Sequence, residues 1–248
     1  MDELANKNIL ITGASRGIGF DLAELLDQKG CNLLLHAGSD LGIQRLREVF
    51  GGSDRHCFWQ ADFSKPDTLA VTLQEMLQFF GPLSGYVNCV GLRVRRPLNL
   101  LNVAIATEAF ATNVVSHLEV VRIITRKGLF AKGLSIVGIS SIASHIGSPG
   151  VSIYAATKAA MESANRCLSK ELFTKGIRIN SIIAGQVNTE AYKELMQSKD
   201  SQVDLVLDRQ YMGLIEPRGV AAMCVFLLSE QSQYINGSSL PVDGGYLV

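Results

Sequence analysis

The chain carries no net charge at neutral pH, because 23 lysines and arginines offset 23 aspartates and glutamates. Without a global field of either sign, nothing draws it onto a polyanion or an anionic membrane, so neither nucleic acid nor membrane is an expected partner. Cysteine is sparse. Cys31, Cys57, Cys89, Cys167 and Cys224 are odd in number and never stand as Cys-x-x-Cys. They lack the spacing of a metal site or a disulfide framework and read as small buried residues in a reducing compartment, so no metal is expected. Long hydrophobic runs are also missing, and none approaches the length of a membrane span. Met1 to Lys7 hold two acids and no apolar core, unlike a secretory leader. The expected location is the cytoplasm.

What is present is apolar material in short, regularly interrupted pieces. A hydrophobic content of 47% over 248 residues is enough for one sizeable core, and a single domain over residues 1–248 is expected. Lys7–Thr12, Cys31–His36, His56–Gln60, Gly85–Val90, Leu134–Ile139, Ile177–Ile183 and Ser239–Val242 read as strands. Between them Phe20–Lys29, Pro66–Phe80, Leu98–Arg126, Ser152–Lys175 and Pro217–Leu228 carry helical spacing. Strands alternating with helices predict a doubly wound α/β fold, a parallel sheet of about seven strands with helices on both faces. The stretch from Val187 to Ile215 breaks the rhythm: it is polar and weakly periodic, with Tyr192, Met196, Tyr211 and Met212 as its larger apolar members. A long irregular segment beyond the carboxyl end of a strand is expected to be a substrate loop.

Between the first strand and helix lies Thr12-Gly-Ala-Ser-Arg-Gly-Ile-Gly19, with glycines at 13, 17 and 19. Glycines there let backbone N–H groups approach a pyrophosphate, and the helix start adds partial positive charge. The spacing Gly-x-x-x-Gly-x-Gly differs from the commoner dinucleotide fingerprint Gly-x-Gly-x-x-Gly. At the end of the second strand the position that would hold a ribose 2′-hydroxyl through a carboxylate is Ala37, inside His36-Ala-Gly-Ser-Asp40. Arg16 in the glycine loop and Ser39 suit a 2′-phosphate instead. NADP(H) is therefore favoured over NAD(H), with Asp40 as the one residue able to reverse that preference.

The chemistry-bearing stretch runs from Ser141 to Lys158. Ser140 and Ser141 close a hydrophobic strand, and Tyr154 and Lys158 lie four apart on a predicted helix, so their side chains share one face. A free phenol titrates near 10, and an ammonium beside it favours its ionised form. Together with the glycine loop, these residues resemble the compact, single-domain branch of the short-chain dehydrogenase/reductase family, a Rossmann-like fold, and the likeness runs on to Val242-Asp-Gly-Gly245.

The resemblance implies roles residue by residue. Ser141, thirteen residues before Tyr154, would hydrogen-bond the substrate oxygen, and Tyr154 would give a proton to a carbonyl as hydride arrives. Lys158 would assist the phenol and hold ribose hydroxyls, and Asn113 would position a water relaying protons toward Lys158. Cofactor contacts would come from Gly13, Ser15, Arg16, Gly17, Ile18, Gly19, Ser39, Asp62, Phe63, Cys89, Gly91, Tyr154, Lys158, Gly185, Val187 and Thr189, with Asp62 beside the adenine. Two departures stand out. Cys89-Val-Gly91 replaces the family's Asn-Ala-Gly, losing a bracing side chain, and Ala184 replaces a proline before Gly185, which predicts a looser nicotinamide loop.

The implied activity is NADPH-dependent reduction of a carbonyl to a secondary alcohol, with 3-oxoacyl thioesters as a candidate substrate class, as in the 3-oxoacyl carrier-protein reductases. An NAD(P)-dependent alcohol or sugar dehydrogenase is the alternative, and a nucleotide-binding sensor or scaffold without turnover is the other. The partner would be a small-molecule carbonyl or alcohol, free or on a carrier protein. The resemblance also implies a homo-oligomer, a dimer or tetramer, paired through the long helices around Asn113 and Tyr154, where Ala155, Ala156, Ala159 and Ala160 permit close approach. Arg93, Arg95 and Arg96, just after the fourth strand, are candidates to receive an acidic group or an acidic carrier protein, with a solvated basic loop as the alternative. Lys132 and Lys175 fall where the resembled carrier-protein reductases place docking cations, with helix-end partners as the alternative. His145, Ile146 and Pro149 are candidates to line the pocket.

Overall fold

The computed structural model describes residues 3–197 and 209–248. Seven strands form one parallel sheet: β1 (Asn8–Thr12), β2 (Asn32–Ala37), β3 (His56–Gln60), β4 (Leu83–Asn88), β5 (Phe130–Ser141), β6 (Arg178–Ala184) and β7 (Ser239–Val242). Their spatial order is β3-β2-β1-β4-β5-β6-β7. The order reverses direction between β1 and β4, which opens a crevice beyond the carboxyl ends of those two strands.

Period-two alternation divides the sheet's side chains between two cores. Ile9, Ile11, Leu33, Leu35, Val87 and Val137 face one side, against Leu22 and Leu26 of α1 (Gly17–Gln28), Leu46 and Phe50 of α2 (Asp40–Phe50), and Val220 and Leu227 of α8 (Pro217–Leu228). Leu10, Leu34, Tyr86 and Ile136 face the other. There they meet Leu69, Leu73 and Leu77 of α3 (Leu69–Phe80) and Val120 and Ile124 of α5 (Ser116–Ile124). Burial on both faces explains why the strands read as continuous apolar runs.

The remaining helices are α4 (Val103–Phe110), α6 (Ser152–Leu172), α7 (Glu190–Gln197) and α8 (Pro217–Leu228). A π-helical turn, Ala111–Val115, separates α4 from α5, so of the one or two helices expected over Leu98–Arg126 the chain forms two, joined through Asn113. The predicted Pro66 start of α3 is a 3₁₀ turn, Pro66–Thr68. Helix α2 was not expected from sequence. Gly42 sits in its first turn and lowers its intrinsic helicity, but a Cβ there would stand 2.8 Å from the Ala37 Cβ, so close packing on β2 requires the glycine. The irregular 187–215 segment also needs correction, since α7 occupies its first third. Residues 198–208 of it lie outside the described residues.

Two buried histidines tie these layers together. His36 accepts the Gly13 N–H at Nδ1 (3.1 Å) and reaches the Ala61 carbonyl through Nε2 (3.0 Å). His117 of α5 reaches Asn165 Oδ1 of α6 through Nε2 (2.9 Å), and Asn165 in turn donates to Ser181 of β6 (3.0 Å). His36, accepting at Nδ1, needs a neutral ring with its proton on Nε2, and His117 needs a proton on Nε2 to reach the Asn165 amide oxygen. Burial, acting first and against the carbonyl acceptors, depresses both to about 4 from an ordinary 6.5. Folded pKa values below the unfolded one mean that the unfolded chain binds more protons between 4 and 6.5. Their stabilisation is therefore whole above 6.5 and lost as pH falls through 4. Each should add a slope approaching about 1.4 kcal/mol per pH unit within that window. Urea unfolding across pH 4–7 should show it, and His117→Gln should lose one proton's share; parallel profiles for wild type and variant would refute the assignment.

Candidate active site

The glycine loop turns tightly because it has no room for side chains. A Cβ on Gly19 would stand 2.3 Å from the Gly13 carbonyl oxygen, so the first turn of α1 packs directly on the end of β1. Beyond it runs a groove of about 860 Å³, lined among others by Gly13, Ser15, Arg16, Gly17, Ile18, Gly19, Ser39, Asp62 and Phe63. This volume falls within the range of cofactor pockets, roughly 300–1,000 Å³.

At the end of the groove beside β2, Ser39 caps α2 by accepting the Gly42 N–H (3.2 Å), and Asp40 is not on the groove wall. Arg45, which sequence reasoning missed, joins Arg16 there, its guanidinium 4.8 Å over the Phe20 ring. It becomes legible only once α2 is recognised, because Arg45 lies between one and two turns beyond the Ser39 cap. Arg16 and Arg45 pair with Glu194 (3.5 Å) and Glu190 (3.4 Å) of α7. Exposed pairs of this kind contribute no more than about 1 kcal/mol, so a phosphate could replace those carboxylates at little cost. Asp62 accepts the Ser64 backbone N–H (2.9 Å) and hydroxyl (2.7 Å), which hold its carboxyl below the usual range while it faces the groove.

A second cavity, about 530 Å³, meets the groove along Ile18, Cys89, Gly91, Thr189 and Ala191. Ser141, Tyr154 and Lys158 all line it. Lys158, buried, donates to the Ile139 carbonyl (2.8 Å), and its Nζ is 5.8 Å from the Tyr154 ring centroid. A Cβ on Gly91 would stand 3.0 Å from that Nζ, so the glycine leaves room for the ammonium. The Ser141 hydroxyl oxygen accepts the Ala143 N–H (3.2 Å), which leaves its proton free to donate into the cavity.

Asn113 sits in the π turn with its side chain fully engaged. It accepts the Leu92 N–H (2.6 Å) and donates to the Leu92 carbonyl (2.9 Å) and to Thr157 Oγ1 (2.9 Å). The amide clamps the loop after β4 onto α6, one residue from Lys158. Cys89 is not reactive, because burial, against the pull of Lys158, pushes its thiol up to about 12. The brace thought lost at Cys89 comes from Asn88, whose Oδ1 accepts the Thr12 hydroxyl (2.9 Å) and the Val90 N–H (3.2 Å).

The loop of Gly185, Val187 and Thr189 is not loose. Gln210, missed from the sequence, is buried beneath it, accepting the Gln186 N–H (2.8 Å) and donating to the Gln186 carbonyl (3.1 Å). That double contact supplies the rigidity a proline would have given. Thr189 Oγ1 accepts the Tyr192 N–H (3.2 Å) at the start of α7, and its own proton points to no acceptor among the described residues.

Of the predicted pocket residues, Ile146, Pro149, Arg93 and Arg95 line the catalytic cavity, whereas Arg96 and His145 do not. Lys132 lies near the start of β5 and Lys175 just after α6, at the opposite end of the sheet from Ser141 and Tyr154 of the same chain. His145 pairs with buried Glu162 (3.1 Å), a carboxylate that also accepts the hydroxyls of Ser140 and Ser144. Glu162 thereby fixes both flanks of Ser141.

These features define a dinucleotide-dependent oxidoreductase site: a phosphate-cradling loop opening into a cavity that holds a phenol, an ammonium and a hydroxyl. A family model described as enoyl-(acyl carrier protein) reductase matches residues 13–247. A 3-oxoacyl-[acyl-carrier-protein] reductase of Chlamydia muridarum is 34% identical over 98% of both chains. A 5-keto-D-gluconate 5-reductase of Escherichia coli is 28% identical, over 99% of this chain and 97% of that one. A dehydrogenase/reductase structure from Sinorhizobium meliloti superposes with a TM-score of 0.89 at 27% identity, covering 99% of this chain and 97% of the other. A metagenomic blue fluorescent protein solved with NADPH also gives 0.89, at 25% identity over 99% of this chain and all of that one. The chain belongs to the short-chain dehydrogenase/reductase family and is an NAD(P)-dependent oxidoreductase.

Glu162 gives this site a measurable pH signature. Burial raises its pKa, but the hydrogen bonds from Ser140, Ser144 and His145 outweigh burial and hold it below the ordinary 4.5. Its stabilisation is thus present above pH 4.5 and lost as pH falls through the lower folded value. Glu162→Gln should cost about 1–3 kcal/mol at pH 7, and the gap from wild type should narrow in acid. Denaturant titrations at pH 7 and below 4 measure both, and a variant as stable as wild type at pH 7 would rule the role out.

Proposed function

We propose that the protein reduces a ketone to a secondary alcohol using NADPH, with Tyr154 as proton donor. The observation that carries this reading is the convergence of Ser141, Tyr154 and Lys158 on a cavity continuous with the dinucleotide groove. The groove residues would hold NADPH, which when bound would supply the hydride for the carbonyl carbon. Ser141 donates its free hydroxyl proton as a hydrogen bond to the substrate oxygen and polarises the carbonyl. Tyr154 transfers its phenolic proton to that oxygen as negative charge builds there. Lys158, pinned by the Ile139 carbonyl, offsets the charge left on the phenol oxygen, with donors to spare for the ribose. Asn113 keeps Gly91 and Leu92 seated so that the ammonium keeps its place. Solvent then returns the proton to Tyr154.

NADPH is supported over NADH by Arg16 and Arg45 at the β2 end of the groove, by Ala37 in place of a carboxylate, and by solved relatives with NADP or NADPH bound. Relatives named for 3-oxoacyl carrier-protein and 5-keto-D-gluconate reduction support a ketone within a chain that ends in an oxidised carbon.

Tyr154→Phe should retain NADPH binding by fluorescence titration while kcat falls by about 10²–10⁴; unchanged turnover of a ketone panel would remove the assigned acid. For the cofactor, Arg45→Ala should lower the NADPH-to-NADH ratio of kcat/KM by roughly 10-fold to 100-fold, the value of a charge-assisted contact. A ratio that does not move would place the 2′-phosphate elsewhere.

A further inference from the structure

Among the described residues, the walls of the catalytic cavity hold four cations and no carboxylate. The cations are Lys158, Arg93, Arg95 and Arg209. Lys158 already has a role. Arg93 and Arg95 do not line the cofactor groove, so the dinucleotide phosphates are not their partners. Nor are they on a free-swinging loop. Arg96 N–H donates to the Gly150 carbonyl (2.7 Å), and the Arg95 side chain packs where a Cβ on Gly150 would be 3.5 Å away. Val94 between the two arginines is buried. The segment after β4 is thus fastened to the turn that starts α6, with two guanidiniums presented on the wall that carries Tyr154.

Arg93 makes no ion pair or hydrogen bond among the described residues. Arg93 lines the cavity while remaining exposed to solvent as a residue. Partial desolvation of its head is the leading effect and presses its pKa below the usual arginine range, Tyr154 pulls the other way, and the like charge of Arg95 adds to the lowering. A guanidinium so placed gains from a planar anion that matches its fork.

We infer that the substrate is a small keto acid whose carboxylate is bound inside this cavity by Arg93, with its ketone held at Ser141 and Tyr154. This rests on the carbonyl-reductase reading and narrows it to a substrate class. It favours a free acid over a carrier-bound thioester. A thioester puts no negative charge beside its ketone, and within one chain Lys132 and Lys175 lie at the far end of the sheet.

The test uses 3-oxobutanoate, 4-oxopentanoate and 5-oxohexanoate, which vary the carbonyl-to-carboxylate spacing, each beside its methyl ester, with NADPH. At least one acid should exceed its ester in kcat/KM by about 10-fold to 100-fold, the discrimination a charge-assisted hydrogen bond supports. Arg93→Gln should erase that ratio and Arg93→Lys should restore part of it. The second readout is independent of turnover. The same acids, unlike the esters, should raise the melting temperature of the NADPH-loaded protein, and Arg93→Gln should abolish the rise. Esters matching acids in wild type, a ratio or melting shift untouched by Arg93→Gln, or a carrier-bound 3-oxoacyl thioester outrunning every acid would each overturn the inference. If no ketone is turned over in either form, the reductase reading fails. The melting shift then decides anion binding alone: its presence and loss in Arg93→Gln uphold the site, and its absence overturns it.

Discussion

The site is organised around one buried ammonium. Lys158 is almost wholly removed from water, so neighbouring groups must replace the solvent its head has lost. The Ile139 carbonyl at the end of β5 provides one such group, and the missing side chain at Gly91 after β4 provides the space. Position 158 therefore links two adjacent strand ends and the helix that carries Tyr154. Much of the surrounding structure keeps that arrangement from drifting. Asn113 staples Leu92 to Thr157, Asn88 ties the β4 end to Thr12, and His117 locks α5 to α6 through Asn165. A π turn at Asn113 fits this purpose, because a regular helix would carry the amide to a different azimuth relative to Leu92.

Physical visibility decided how much of this could be read from the sequence. The strands were legible because both sheet faces are covered, which forces continuous apolar runs, and β3, β7 and α8 match their expected limits residue for residue. The glycine loop and the Tyr154–Lys158 pair were legible because local spacing fixes their geometry. Helix α2 was hidden by Gly42, whose unfavourable propensity is offset by a tertiary contact with Ala37 that no local pattern reports. With α2 unseen, Arg45 could not be placed. Gln210 and Glu162 escaped for another reason. Each is a polar residue whose partners are distant in sequence, 24 residues for Gln210 to Gln186 and 22 for Glu162 to Ser140, and nothing in the intervening chain announces the pairing.

The same contrast explains two expectations that changed on inspection. Replacing a proline by Ala184 and an asparagine by Cys89 would each loosen the site if the neighbouring chain were fixed. The chain instead provides the lost constraint from an adjacent residue, Gln210 beneath one loop and Asn88 beside the other. Backbone polar groups in a packed interior must be satisfied by something, so the loss of one partner is matched by another within reach. A family motif read letter by letter therefore understates how rigid a diverged site can be.

Charge is also divided between the two cavities. The cofactor groove sets Arg16 and Arg45 against four carboxylates, Asp62, Glu108, Glu190 and Glu194, and the last two are paired with those arginines before any ligand arrives. The catalytic cavity, among the described residues, has cations alone. A groove whose cations are already paired can bind and release a multiply charged dinucleotide, because the Arg16 and Arg45 ion pairs re-form as the ligand departs. An unbalanced cavity behaves differently. Among the described residues no acid stands on its walls, Glu162 being engaged by Ser140 and Ser144, and its positive field is aligned with the negative charge that grows on a carbonyl oxygen during reduction. The cations that would hold an anionic substrate thus also favour the charge that the reaction creates, so binding and turnover would draw on one electrostatic feature.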